Sequence, residues 1–344
     1  MIDLRTDTLT QPTPELRRAI AEAVVGDEQK REDPTVLELE RRGAALLGQE
    51  EAVFVPTATM ANQIALRILT RPGEELLAEE DSHVLIDELG GPAVHSGLVT
   101  RGLPGYHGRI TPEQIRASVR ERKDMHHPPT RIVSLEDTHN SSGGRVWPLE
   151  ELAAVAETCR ELDLRLHLDG ARLMNAAVAL GVPAAELGRH FDTVTLCLSK
   201  GLGCPLGALV AGSAERMADA RRNKHLFGGA MRQAGIVAAA GVYALDHHVE
   251  RLAEDHARAR RLAEGLAAAG AAVDLDQVET NFVQIDVGPD RAAVLDALRA
   301  EGVLLSGTIH RSVLRAVTYL GISDDDIDRA IELIPRALEA RVRA

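Results

Sequence analysis

Lysine is scarce in this chain. Of 39 basic residues only Lys30, Lys123, Lys200 and Lys224 are lysines, and the rest are arginines. A GC-rich coding bias accounts for such a balance without any function. It still narrows the chemistry, because a guanidinium stays charged whereas a desolvated ammonium can lose its proton and act as a nucleophile. Cysteine is sparse too. Cys159, Cys197 and Cys204 are an odd number with no paired metal spacing, which reads as three free thiols in a reducing compartment. Long apolar runs are lacking, and the uncharged stretch from Ala234 to Leu245 is too short to cross a bilayer. The first residues, Met1-Ile2-Asp3-Leu4-Arg5, have no apolar signal core, so a cytoplasmic protein is expected. Positive charge is not in excess: 39 basic against 52 acidic residues leave a net charge of −13, spread along the chain. That argues against nucleic acid or an anionic membrane as partner. It does not bar a local basic site for a small anion.

What is present is an α/β pattern. The 344 residues suffice for a large unit and a smaller one, each with its own core. Short apolar runs rich in β-branched residues predict strands at 52–55, 131–135, 165–168, 193–198 and 207–210. Helical patterns fall at 13–24, 34–47, 60–69, 148–162 and 214–223. Such alternation predicts a mainly parallel sheet covered on both faces, with ligands at the carboxyl ends of its strands. From Gln233 to about Gly270 the pattern is long helix. Strands are then expected at 272–275, 281–287, 302–306 and 314–320, with helices at 290–301 and 323–342. The division expected is a large unit over 1–245 and a smaller α+β unit over 246–344, with no Pro/Gly linker between them.

Chemistry gathers at two strand ends. Lys200 closes the run Thr193-Val-Thr-Leu-Cys-Leu-Ser-Lys200, and Gly201-Leu-Gly203 follows. A strand-end lysine is ordinarily just solvated, but burial behind it would favour the neutral amine. Asp169 closes Leu166-His167-Leu168-Asp169. An aspartate there is often a helix cap. Paired with a lysine on the same ligand face, it is also what pyridoxal 5′-phosphate (PLP) needs, since a carboxylate keeps the pyridine nitrogen protonated and the ring a better electron sink. Pro56-Thr57-Ala58-Thr59 joins a strand to a helix, where backbone N–H groups can bind phosphate, although plain capping explains the threonines equally. His83 follows Glu79-Glu80-Asp81-Ser82 in a loop and could stack on a flat cofactor. His126-His127 before Pro128-Pro129 lack the spacing of helical metal ligands, so no metal site is expected.

These stretches resemble a known family. Asp3-Leu-Arg-Thr-Asp-Thr8, Glu32-Asp-Pro-Thr-Val36, Thr59-Met-Ala-Asn62, His126-His-Pro-Pro-Thr-Arg131 and Ser134-Leu-Glu-Asp-Thr-His-Asn140 carry the likeness. So do His167-Leu-Asp-Gly-Ala-Arg172, Cys197-Leu-Ser-Lys-Gly-Leu-Gly203 and Met231-Arg-Gln233. The chain resembles the L-threonine aldolases of the β-eliminating lyase group, which are fold-type-I PLP enzymes. The resemblance implies that Lys200 forms the Schiff base with the cofactor, that Asp169 faces the pyridine nitrogen and that His83 stacks on the ring. It implies that Ala58 and Thr59 hold the phosphate, with Arg232 reaching in from a second subunit. Thr6, Arg172 and Arg315 fall where the family grips the substrate carboxylate, and His126 where a histidine approaches the β-hydroxyl. A homo-oligomer, dimer or tetramer, with shared active sites is implied as well.

The activity so implied is retro-aldol cleavage of L-threonine or L-allo-threonine to glycine and an aldehyde, with His83 or His126 as the base. A second aldolase or β-eliminating lyase activity, on another β-hydroxy or β-substituted amino acid, is the alternative. An aminotransferase fits less well, because the flanks of Lys200 follow the aldolase pattern. A non-catalytic PLP-binding protein would leave the carboxylate-gripping arginines without a purpose.

Overall fold

Lys200 lies just past the end of a fully buried strand, third from one edge of a seven-stranded sheet in the computed structural model. The structure describes residues 1–121, 123 and 125–342, so residues 343 and 344 of the expected small unit lie outside it. In chain order the strands are β1 (Ile2–Asp3), β2 (Glu51–Val55), β3 (Glu75–Glu79), β4 (Val99–Leu103), β5 (Thr130–Glu136) and β6 (Arg165–Gly170). Then follow β7 (Thr193–Cys197), β8 (Ala208–Gly212), β9 (Phe282–Asp286), β10 (Val303–Leu304), β11 (Ser306–Gly307) and β12 (Val313–Val317).

The large sheet runs β2-β8-β7-β6-β5-β3-β4. From β7 through β4 all pairs are parallel. β8 is antiparallel to both β7 and β2, so β2 points the same way as β7. The carboxyl ends of β2, β3, β5, β6 and β7 therefore share one edge. Helices cover both faces, which is why the inner strands are apolar throughout instead of alternating. The two faces separate residue by residue: Ala52 and Phe54 pack into one core and Val53 and Val55 into the other, as the two-residue period of a strand requires.

A second core is built on the antiparallel sheet β11-β12-β9 and the helices Leu252–Ala268, Arg291–Ala300 and Asp324–Val342. The N-terminal arm belongs to this core. β1 pairs with β10, Ile2 and Leu4 are buried in it, and the Leu4 carbonyl accepts from Val317 N at 2.8 Å. The chain thus begins against the small sheet and then crosses to the large one.

Several elements differ from the sequence reading. The helix 60–69 begins at Ala58, which places Ala58 and Thr59 in its first turn. The long helix over 233–270 is two helices, Gly235–His247 and Leu252–Ala268. Ala238, Ala240 and Ala244 of the first pack in the large core, as does Leu252 at the start of the second, whereas Ala259, Leu262 and Leu266 of the second pack in the small one, so the chain changes cores within the second helix. Residues 272–275 form no strand. Ala272 makes one bridge to Asp286, and Asp274 caps a 3-10 turn over Leu275–Gln277 by accepting from Asp276 N. The expected strand 302–306 is divided between β10 and β11, which belong to different sheets. β3 and β4 were not foreseen. β3 begins and ends in glutamates, and charge at a buried strand end hides the pattern. Glu75 is tolerated there because Arg101 and Arg120 each pair with it at 2.9 Å.

Candidate active site

The carboxyl edge of the large sheet gathers most of the expected residues. Thr57 caps the helix Ala58–Leu69 after β2, accepting from Met60 N. Ala58 and Thr59 are in the first turn, whose N–H groups have no partner within the helix and point at incoming anions. His83 follows β3, Asp169 lies in β6 and Lys200 follows β7. Gly203 then turns the chain back at φ 76°, a conformation that favours glycine, and its N–H closes on the Lys200 carbonyl at 2.9 Å.

Asp169 is buried and held from two sides. Its Oδ1 accepts from Ala171 N at 3.0 Å and its Oδ2 from Asn62 Nδ2 at 2.7 Å. Asn62 is fixed in turn by Thr195 Oγ1 at 2.9 Å and His167 Nε2 at 3.2 Å, both at its Oδ1. Burial pushes the His167 imidazole down to about 4, so that ring is neutral and Nε2 can donate. The same Asn62 Nδ2 reaches Glu88 Oε1 at 2.8 Å, and His83 Nδ1 bonds that oxygen at 2.9 Å. Burial alone would lower the His83 pKa. The carboxylates of Glu88, Asp169 and Glu136 outweigh it and raise it to about 9. His83, Glu88 and Asp169 bring donor atoms within 4.8 Å of one another.

A second group of residues adjoins the first. Arg172, two residues past β6, is buried and forked onto Asp7, with Nε to Oδ2 at 2.7 Å and Nη2 to Oδ1 at 2.8 Å. Its Nη1 donates to Asn140 Oδ1 at 3.3 Å, and Arg315 Nη1 of β12 donates to the same oxygen at 3.0 Å. Both guanidiniums lie over the Phe282 ring, 4.8 and 5.2 Å from its centroid. Arg315 has no ion pair among the described residues, and its buried Nε has no hydrogen-bond partner there. Burial, and then the like charge of Arg172, push its pKa down to about 10, so it is a cation short of an anion. Thr6 caps the 3-10 turn that carries Asp7. Glu136, at the end of β5, ties the two groups together: one oxygen accepts from His83 N at 2.7 Å and the other from Asn140 N at 2.8 Å.

Two expected site residues stand apart within the single chain. The Arg232 side chain is 64% exposed and reaches Asp27 at 3.5 Å. His126 is exposed on the segment leading into the amino end of β5, whereas the site lies at that strand's carboxyl end. The other lysines also differ from Lys200. Lys30 and Lys123 are exposed, and Lys224 is buried against Glu28 at 2.5 Å. A cavity of about 550 Å³ beside Glu28, Arg31, Arg221 and Lys224 contains none of the residues of the two groups.

Sequence reasoning did not single out Asp7, Asn62, Glu88, Glu136, Asn140 or Phe282. Asp7, Asn62, Glu136 and Asn140 all lie inside stretches that carry the family likeness, which was the available signal. Glu88 and Phe282 lie outside every such stretch, and only the folded chain brings them in.

The donors fit PLP. A buried aspartate without a lysine or arginine partner among the described residues suits a protonated ring nitrogen. A strand-end lysine without an ion pair there offers an amine, and a helix N-terminus at the same edge offers N–H groups to a phosphate. Fold and donor set are those of a fold-type-I, PLP-dependent enzyme. The model of the family described as "Beta-eliminating lyase" matches residues 3–288. The chain is 40% identical over 328 residues to a low-specificity L-threonine aldolase of Escherichia coli (strain K12), covering 95% of this chain and 96% of that one. Its fold matches a threonine aldolase of Leishmania major with a TM-score of 0.86 at 20% identity, over 98% of this chain and 100% of that one. A serine palmitoyltransferase variant of S. paucimobilis with a bound PLP–myriocin aldimine matches with a TM-score of 0.77 at 18% identity, over 100% of this chain and 88% of that one. The chain belongs to the β-eliminating lyase family.

Proposed function

We propose that this chain cleaves L-threonine and L-allo-threonine, and related β-hydroxy-α-amino acids, to glycine and an aldehyde. The observation that carries the reading is the adjacency of two seats at one sheet edge: a cofactor seat around Asp169, Lys200 and His83, and an anion seat around Arg315 and Arg172. The relatives named as low-specificity L-threonine aldolases support it.

When bound, PLP supplies the electron sink that accepts the pair left at Cα. Lys200 is the residue that would carry it, and Asp169 would face its ring nitrogen and favour the protonated form. The first-turn N–H groups of Ala58 and Thr59 take its phosphate. Arg315 and Arg172, with Thr6 beside them, would hold the substrate α-carboxylate and so fix the orientation of the amino acid at Cα. His83, whose Nδ1 is fixed by Glu88, presents Nε2 as the group that takes the β-hydroxyl proton, and His126 is the second candidate for that task. As the proton leaves, the Cα–Cβ pair passes to Cα and the aldehyde departs. A proton returned to Cα completes glycine.

Incubation of the holoenzyme with a panel of β-hydroxy-α-amino acids tests this. Glycine and the matching aldehyde should form in equal amounts, and none should form with Lys200→Arg, which keeps the charge but not the nucleophile. The matching 2-oxo acid and ammonia from the panel, in place of glycine and an aldehyde, would assign a different lyase reaction.

We place the large unit at 1–245 and the small one at 246–344; packing passes from the large core to the small one between Leu252 and Ala259, and Ile2 and Leu4 of the arm pack in the small core. We further infer a cytoplasmic homo-oligomer, dimer or tetramer. Three buried free thiols favour a reducing compartment, and the exposed Arg232 favours a role across an interface. Mixing inactive Lys200→Ala chains with Arg232→Ala chains should restore activity in hybrid oligomers. Verified mixing without recovery rules out shared sites.

A further inference from the structure

Asp7 is a fully buried carboxylate delivered by the N-terminal arm, and both of its oxygens are taken by one guanidinium. The paired fork leaves Arg172 only Nη1 toward Asn140, whereas Arg315 makes no ion pair among the described residues and its Nε has no hydrogen-bond partner there. Arg172, Arg315 and Asp7 thus share a small space beside Phe282 and among themselves sum to a single positive charge, while Lys200 acts on Asp7, Glu136 on Arg172 and Asp87 on Arg315 without an ion pair to them among the described residues. That sum matches one carboxylate. We propose that Asp7 is a positioning residue that neutralises and orients Arg172, so that the seat takes a singly charged α-carboxylate through Arg315 and rejects a second negative charge. This rests on the reading of Arg315 and Arg172 as the substrate-carboxylate seat.

The surroundings support the assignment. Burial favours the neutral acid of Asp7, but Arg172, Lys200 and Arg315 outweigh it and hold its pKa below the ordinary value, so the carboxylate is charged. The arm that carries it is anchored at the strand that carries Arg315, through Val317 N to Leu4 O at 2.8 Å, and at the neighbouring β11, through Ser306 Oγ to Arg5 O at 2.9 Å. Asp7 is therefore fixed relative to both arginines, one on each unit. A neutral residue there would leave two uncompensated guanidiniums, and the attraction for a second negative charge a few ångströms away would rise steeply in so shielded a space.

The test compares acetate, a monoanion, with malonate, a dianion, on the holoenzyme. Binding is read from the rise in melting temperature with anion concentration at fixed ionic strength, and from competition with L-allo-threonine. In Asp7→Asn the preference for malonate over acetate should increase about tenfold relative to wild type, as one uncompensated charge at this range allows. Asp7→Glu should leave the preference near the wild-type value. Should Asp7→Asn fail to fold, a second pair decides. Arg172→Gln leaves Asp7 facing Arg315 and should bind acetate weakly, while Arg172→Gln with Asp7→Asn restores one net positive charge and should bind it about tenfold more tightly. Equal preferences in wild type and Asp7→Asn, or a double variant no better than Arg172→Gln, would overturn the proposal and make Asp7 a structural anchor alone. If acetate does not compete in wild type and Arg315→Ala leaves KM unchanged, the carboxylate seat itself is wrong and the proposal fails with it.

Discussion

The two seats of the cleft are built in different ways. The cofactor seat comes almost wholly from one sheet. Asp169 and Lys200 stand at the ends of adjacent parallel strands, His83 follows a third strand, and a helix N-terminus follows a fourth. Its geometry is set by strand register, so its parts are as rigid as the sheet. The carboxylate seat has no such common scaffold. Asp7 comes from the arm, Asn140 from the loop after β5, Arg172 from the loop after β6, and Phe282 and Arg315 from the small sheet. On the proposed assignment the cofactor's donors within one chain would come from the large sheet, whereas those of the carboxylate would come from both sheets and the arm. A cofactor held on a rigid edge with a substrate grip assembled across units allows the second to vary while the first is kept.

The two arginines of the carboxylate seat should come apart on mutation, and this is the largest effect expected. Arg172→Ala strands the buried Asp7 carboxylate without its partner, which costs about 3–5 kcal/mol of stability, read as a fall in the denaturant midpoint. Arg315→Ala removes a cation that the structure leaves unpaired, so stability should change little. It should instead lower kcat/KM for L-allo-threonine by about 1.5–3 kcal/mol, the range for a lost bond to a charged group, with the bound-cofactor absorbance preserved. Similar losses of stability in both variants would erase the distinction drawn between them.

Much of the cofactor seat is legible in sequence because each of its main parts is a local event. A buried apolar run that ends in Lys200, another that ends in Asp169, and a strand–helix junction at Ala58-Thr59 can be read within ten residues each. The carboxylate seat is not local. Arg172 and Arg315 look alike in sequence, as arginines near strand ends, and only the contact to Asp7, 165 positions away, shows that one is already paired. β3 was missed for a related reason. Its terminal glutamates, Glu75 and Glu79, look solvated until Arg101, Arg120 and His139 are seen folded against them. Long-range ion pairs make buried positions read as surface.

The smallest effect tests whether the cofactor seat is as tightly coupled as its hydrogen bonds suggest. Glu88 bonds His83, Asn62 and Gln63 together, so its charge should be felt in the titration of His83. In the cofactor-free chain the His83 pKa is raised from 6.5 to about 9, against the effect of burial, by Glu88, Asp169 and Glu136. A raised folded-state pKa means that protonation stabilises the fold. The contribution is complete below about pH 6.5 and is lost as pH rises through about 9. Glu88→Gln keeps an acceptor for Nδ1 but removes one of the three charges. The His83 midpoint, followed by the ring-proton NMR signal, should therefore fall by roughly one unit, which is about 1.4 kcal/mol, and the loss of stability above pH 6.5 should end at a lower pH and be smaller in total. A bound cation at Asp169 acts in the same direction, because it cancels another of the three charges. Loading the wild-type chain with PLP should thus also lower the midpoint, moving His83 toward the neutral form that a base requires. A midpoint near 9 in both the Glu88→Gln chain and the loaded wild type would show that Glu136 alone holds the proton, and the hub at Glu88 would then be structural only.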